Sequence, residues 1–245
     1  MMDQLLDATA RAERDHFWFH GFRRFVAPLL AEAVKAHRDA RILDCGCGTG
    51  YNLRLLRRYG RAIGIDLTFS GLTYAARRGE RSVAQASATD LPFADAQFDV
   101  VTSFDVLYGL PDAAEELAFG EMRRVLRPGG HVIINVAALP ALRGNHSILG
   151  GEVRRYTRAV LKNRLTRHGF EVRRITYTNA TILPIVATVR LLQRVAGHRS
   201  SQQEISVPAA PINRALSAVL AVEAAALRVV NMPLGSSLLA LAVKR

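Results

Sequence analysis

Arg41-Ile-Leu-Asp-Cys-Gly-Cys-Gly-Thr-Gly50 is the stretch on which the reading of this chain turns. A short apolar run ends in an acidic residue, Asp44, and three alternating glycines follow. Glycine lets the backbone turn sharply and approach a ligand closely, because no Cβ stands in the way. The apolar run reads as a buried strand, and Tyr51-Asn-Leu-Arg-Leu-Leu-Arg-Arg-Tyr59 reads as the helix after it. Strand, glycine turn and helix make a nucleotide-binding crevice in a doubly wound sheet. The spacing of Gly46, Gly48 and Gly50 is G-x-G-x-G, which differs from the dinucleotide pattern G-x-G-x-x-G.

The neighbouring segments sharpen this. Ala62-Ile-Gly-Ile-Asp-Leu67 reads as a second strand ending in Asp66, where a carboxylate can accept both hydroxyls of a ribose. Further on come Phe98-Asp-Val-Val-Thr-Ser-Phe-Asp105 and Arg124-Val-Leu-Arg-Pro-Gly-Gly130. With LDCGCGTG, GIDLT, LPFADAQFDVV and RVLRPGG in this order, the chain resembles the class I S-adenosylmethionine-dependent methyltransferases, of the type 11-like kind. The resemblance covers roughly residues 40 to 140. It implies a Rossmann-like, seven-stranded, mainly parallel sheet with helices on both faces.

The rest of the pattern agrees with an α/β chain. Strands are expected at 41–45, 62–67, 82–86, 98–104 and 131–137, and helices at 51–59, 70–78 and 112–126. Such alternation predicts a parallel sheet. A helix over 157–168 ends at Gly169, and Glu171–Thr178 alternates like a half-buried strand. Residues 236–245 read as a last strand, which the resemblance slots antiparallel between the fifth and sixth. Residues 3–37 look helical in two pieces broken near Gly21 or Pro28. The chain thus divides into an N-terminal helical segment or lid, 1–38, and a methyltransferase domain, 39–245. Within the latter, 180–235 forms a helical insert, with helices at 182–196 and 212–230.

Composition narrows the class. The chain has 245 residues and 49% hydrophobic residues, enough for a real core. Its net charge is +12, nearly all from arginine, since Lys35, Lys162 and Lys244 are the only lysines. Such basicity suits phosphate, an anionic membrane surface, an anionic substrate, or plain solvation. Cys45 and Cys47 form a C-x-C pair without further ligands, so neither zinc nor a disulfide is expected, and no metal is assigned. The N-terminus lacks an apolar leader segment, and no run of about 18 apolar residues exists to span a membrane. The expected location is cytoplasmic, with peripheral contact to the inner membrane face as an option.

By resemblance, the cofactor is S-adenosyl-L-methionine. Gly46, Cys47, Gly48 and Gly50 would pass beneath its amino-acid end and ribose. Asp44 would accept from its ammonium, Asp66 from its ribose hydroxyls, and Leu67 would lie against the adenine. Ser87, Ala88 and Asp90 would meet the adenine edge, although the family often has Asp where Ser87 stands. Ser103 would face the methionine portion. The aromatic cluster Asp15-His-Phe-Trp-Phe-His-Gly-Phe-Arg-Arg24 suggests a lid, with Trp18 over the sulfonium and Arg23 on the carboxylate. Its alternative is a hydrophobic staple for the N-terminal helices.

The acceptor side is less defined. Catalytic residues stay unassigned, with His146, Tyr156 and His16 as weak candidates and Arg154 and Arg155 as acceptor-binding groups. The acid–histidine pair familiar after the fourth strand is replaced by Tyr108-Gly109. The expected function is methyl transfer to O, N or C of a small-molecule or lipid- or glycan-linked acceptor. Membrane contact would run through 182–230, and a homodimer is compatible with the chain. A nucleic-acid acceptor is disfavoured, because neither an Asn/Asp-Pro-Pro-Tyr/Phe motif nor a Pro-Cys nucleophile is present. A cofactor-binding homologue without catalysis is the remaining alternative.

Overall fold

The computed structural model describes residues 2–143, 151–188 and 206–245. In chain order the elements are α1 (Met2–Ala12), α2 (Phe17–Ala33), β1 (Ala40–Cys45), α3 (Leu53–Leu56), β2 (Gly60–Asp66), α4 (Phe69–Arg77), β3 (Val83–Gln85) and β4 (Phe98–Phe104). Then follow α5 (Asp112–Val125), β5 (Leu126–Ala137), α6 (Arg158–Arg167), β6 (Phe170–Thr178), α7 (Ala210–Ala226) and β7 (Ser237–Lys244). The seven strands form one sheet in the order β3-β2-β1-β4-β5-β7-β6. β1 to β5 run parallel, while β7 pairs antiparallel with both β5 and β6, as the resemblance implies. The strand order reverses between β1 and β4, where open α/β sheets bind ligands outside the carboxyl ends of their strands.

The sheet is covered on both faces. On one, Phe98, Val101 and Leu238 pack with Phe119 and Met122 of α5 and Leu161 and Leu165 of α6. On the other, Ile42, Val100 and Leu241 pack with Phe25, Val26 and Leu30 of α2, Leu53 of α3 and Leu220 of α7. β7 sends Leu238 and Ala240 to one side and Leu239 and Leu241 to the other. That two-sided burial is why Leu-Leu-Ala-Leu-Ala-Val reads as an unbroken apolar run. Arg124 joins two of the motif segments by donating to the Leu91 and Phe93 carbonyls, 3.0 and 2.7 Å away. LPFADAQF and RVLRPGG are therefore one structural unit.

Several boundaries differ from the sequence reading. The N-terminal helices break at 13–16, and both Gly21 and Pro28 lie inside α2. The break is fixed by caps: His16 Nδ1 accepts from the Trp18 N–H at 3.1 Å. Asn213 of α7 accepts from the Phe17 N–H and donates to the Asp15 carbonyl. Gly21 serves packing, since a Cβ there would stand 2.4 Å from Leu220 Cδ1 of α7. The fifth strand begins at Leu126, so the Pro-Gly-Gly turn is part of it. α3 is a short helix, Leu53–Leu56, inside the predicted 51–59 span.

The 180–235 region is no separate appendage among the described residues. Leu220, Ala224 and Leu227 are buried in the core beside Ile182. Glu223, also buried, accepts from the Ala180 and Thr181 N–H groups at 2.9 Å each. α7 is thereby tied to the end of β6. The predicted 182–196 helix is described only to residue 188, and its Val189 and Leu192 lie outside the described residues.

Candidate active site

The glycine loop runs from the carboxyl end of β1 under α1. Gly46 and Cys47 both donate N–H bonds to the Ile65 carbonyl at 2.8 Å, which locks the loop against β2. Gly46 has φ +89°, and a Cβ there would stand 2.1 Å from Val106 Cγ2. Gly48 has φ +51°, and a Cβ there would make only an ordinary contact, with Leu6 Cδ2 of α1 at 3.8 Å. Gly50 has a different reason: its Cβ would meet Ala75 of α4 at 2.7 Å. Gly50 therefore serves loop-to-helix packing rather than ligand approach. The Cys47 side chain also turns inward, against Gly64 and Leu53, and only its backbone belongs to the loop face. Burial pushes the thiols of Cys45 and Cys47 up, so both are inert at neutral pH.

Two carboxylates flank the loop. Asp66, at the end of β2, accepts from the Gly48 N–H at 2.7 Å and from the backbone and hydroxyl of Thr68. A carboxylate offers about four acceptor sites, so one remains free on Oδ2. Asp44 is 1% exposed and accepts from Thr102 Oγ1 at 2.7 Å. Burial, reinforced by the charge of Asp66, pushes its carboxyl up to about 7. Leu67 is 69% exposed beside Asp66, and Phe69, which the sequence reading passed over, is equally open. Ser103, at the end of β4, is buried and its Oγ has no hydrogen-bond partner among the described residues. Ser87 closes a tight turn on Thr89 and bridges to Asp90, with Ala88 half-buried between them.

α1 lies over this loop and is strapped to it. Thr49 Oγ1 donates to both carboxylate oxygens of Glu13, at 2.7 and 2.8 Å. Arg78, the C-cap of α4, pairs with Glu13 and donates to the Ala10 carbonyl at 2.8 Å, while Tyr74 donates to Asp7. Arg23 donates to the Glu13 carbonyl and stacks over the Tyr51 ring, 4.9 Å from its centre. Its side chain has no carboxylate partner among these contacts. Glu13, Thr49 and Arg78 were invisible in the sequence, because each takes its meaning from the other two.

The acceptor-side candidates fare worse. His16 is the N-cap of α2, and burial lowers its basicity, as suits a neutral acceptor of the Trp18 N–H. Trp18 is half-buried against the core on the α2 face. Tyr156 is wholly buried and donates to Glu115, so it cannot meet a substrate. Arg154 is held by Asp112 and Glu115, and Arg155 by Glu152 and the Ala138 carbonyl. Thr157 caps α6, accepting from the Val160 N–H. His146 lies outside the described residues.

A family model described as a methyltransferase domain matches residues 43–134, which span β1 to β5. These residues are similar to the methyltransferase-domain family, and the fold is that of the class I S-adenosylmethionine-dependent enzymes. Among curated proteins, the chain is similar to a demethylmenaquinone methyltransferase of Clavibacter sepedonicus. They are 34% identical over 146 residues, which cover 55% of each chain. It is also similar to a malonyl-[acyl-carrier protein] O-methyltransferase of Herminiimonas arsenicoxydans, 32% identical over 62% of this chain and 57% of that one. The chain thus spans little more than half the length of these relatives. A solved S-adenosylmethionine-dependent methyltransferase of Thermotoga maritima covers the whole of both chains, with a TM-score of 0.59 and 20% identity. At that identity the likeness is one of fold.

S-adenosylmethionine is the cofactor of this family, and the crevice fits it. Gly48 presents a side free of Cβ, Asp66 keeps an acceptor site, Ser103 Oγ is unpartnered, and Leu67 and Phe69 offer apolar surface.

Proposed function

We propose that this protein transfers a methyl group from S-adenosylmethionine to O, N or C of a small-molecule or lipid-linked acceptor. The observation that carries the proposal is the Asp66–Gly48 contact, which couples the acid of β2 to the left-handed glycine of the loop. In this reading Asp66 holds the ribose, Leu67 and Phe69 face the adenine, and Asp44 and Ser103 line the methionine end. Arg23 is the lid cation for the cofactor carboxylate. The cofactor supplies an already activated methyl group on a sulfonium sulfur. The chain's own task is to align an acceptor and exclude water, which can contribute about 7–11 kcal/mol in ideal cases. α1, strapped over the loop through Glu13, is placed to exclude water.

The test is incubation with labelled cofactor and a cell extract fractionated into lipid, RNA, protein and small-molecule pools. Label is expected in the lipid or small-molecule pool. Label confined to RNA would replace this acceptor class with a nucleic acid. Asp66→Ala is expected to weaken cofactor binding more than tenfold by calorimetry, about 1.4 kcal/mol or more. Unchanged affinity would remove Asp66 from the site.

One observation favours a lipid-linked acceptor over a freely soluble one. The solvent face of α7 is apolar: Ile212, Ala215, Ala218, Val219, Val222 and Ala225 are all exposed. Arg24, Arg214 and Arg228 stand exposed around it. An apolar stripe flanked by arginines suits an anionic membrane surface, where a lipid-linked acceptor would reside. No helix among the described residues is long and apolar enough to cross the membrane.

A further inference from the structure

The acceptor candidates read from sequence are a cap, a core residue and a residue outside the described segments, which leaves the reacting crevice without an assigned base. One carboxyl at its edge keeps an oxygen without a protein partner among the described hydrogen bonds. Asp105 follows β4 directly, at the carboxyl end of the strand that flanks β1 at the reversal of strand order. It is exposed, although Ser103 and Phe104 just before it are buried. Its φ of +62° is left-handed, a conformation that costs about 1–3 kcal/mol and clusters at functional sites. Asp tolerates it better than most residues.

Asn135 of β5 holds it there from two directions. The Asp105 N–H donates to the Asn135 carbonyl at 2.9 Å, and Asn135 Nδ2 donates to Asp105 Oδ1 at 2.9 Å. Asn135 is itself buried. The contact leaves Oδ2 of Asp105 without a protein partner among the described hydrogen bonds. Asp44 cannot serve the same purpose, because it is enclosed and bonded to Thr102.

We propose that Asp105 is the general base of the site, with Asn135 as its positioning residue: the free carboxylate oxygen takes the proton from the methyl acceptor. This deepens the methyltransferase reading and rests on it. As the acceptor atom bonds to the methyl carbon, the S–CH3 bond breaks and its electron pair stays on sulfur. The acceptor's proton passes to Asp105 and from there to water. Crowding by protein, opposed by the Asn135 hydrogen bond and aided by the charge of Glu152, leaves the carboxyl pushed up to about 7. Tyr108, also crowded, faces it in neutral form, and Arg155 offsets Glu152 through their ion pair. A base works best with a pKa near the operating pH.

The decisive variant is Asp105→Asn. It keeps the size, the acceptor for Asn135 and tolerance of the left-handed backbone, so folding should survive. The primary readout needs no acceptor. By carbon NMR of the carboxyl groups, the one signal lost in Asp105→Asn should titrate near 7 in the wild type. Saturating S-adenosylmethionine, a cation at sulfur, should lower that midpoint, whereas the uncharged thioether product should not. Asn135→Ala should raise it. A midpoint below about 5, or one that S-adenosylmethionine leaves unmoved, overturns the proposal. With the extract fraction that accepts label, Asp105→Asn should cost about 10²–10⁴-fold in transfer, with cofactor affinity within threefold. Equal transfer by the variant also overturns it. Absence of cofactor binding in the wild type would sink the methyltransferase reading itself, and this inference with it. Intact binding with an indifferent Asp105 would sink the inference alone.

Discussion

Asp44 shows how one residue can be legible in identity and hidden in state. The sequence places an acid before the glycines, and the structure adds that it is enclosed, bonded to Thr102, and pushed up to about 7. In the unfolded chain an ordinary aspartate titrates near about 3.9. Between these values the folded chain holds a proton that the unfolded chain releases. The stability tied to Asp44 is therefore complete below about pH 4 and is lost as the pH rises through about 7. His16, His20 and His131, whose basicity burial lowers, act in the opposite sense. Comparing variant with wild type separates the two. Asp44→Asn should gain in melting temperature over the wild type at pH 8 and show little gain at pH 4, by calorimetric scans without cofactor. A gain that does not change with pH would show that the Asp44 carboxyl is ionised throughout. Asp105 was legible only as the last letter of SFD, because its exposure and its hold on Asn135 arise from the pairing of β4 with β5.

At the scale of elements, the parallel core was readable because its signals are local. β1, β2 and β4 are compact apolar runs, and each ends in residues of the motif. The N-terminal helices were misjudged because their determinants are distant. Gly21 and Pro28 looked like breakers, yet Gly21 is where α7 crosses α2 and the true break is capped by Asn213. This gives a direct test. Gly21→Ala favours an isolated helix by about 0.8–1.0 kcal/mol, but here its Cβ would press on the fully buried Leu220. Overpacking of this kind costs about 1–3 kcal/mol, so the variant should be destabilised in urea. Leu220→Ala removes the obstacle at its own cavity cost, so the double variant should lose less than the sum of the two. Strict additivity in that cycle would mean that the helices do not meet at this point.

At the scale of the molecule, the +12 charge is an excess that internal ion pairs do not remove, and part of it stands around α7. Arg78, Arg124, Arg127, Arg154, Arg155 and Arg164 are all paired with carboxylates. The arginines left exposed around α7 frame an apolar face. On an anionic membrane, apolar burial and charge attraction would act together at that face. Vesicles containing phosphatidylglycerol should therefore carry the protein upward in flotation, and neutral phosphatidylcholine vesicles should carry much less. Val222→Asp places a charge on an exposed helix face, so it should leave the fold intact and reduce flotation severalfold. Raised salt should also weaken binding, since the arginine contribution is screened while the apolar one is not. If the protein ignores anionic vesicles but sediments as a dimer that Val222→Asp dissociates, the same face is the contact between two copies. The acceptor would then reach the crevice from solution.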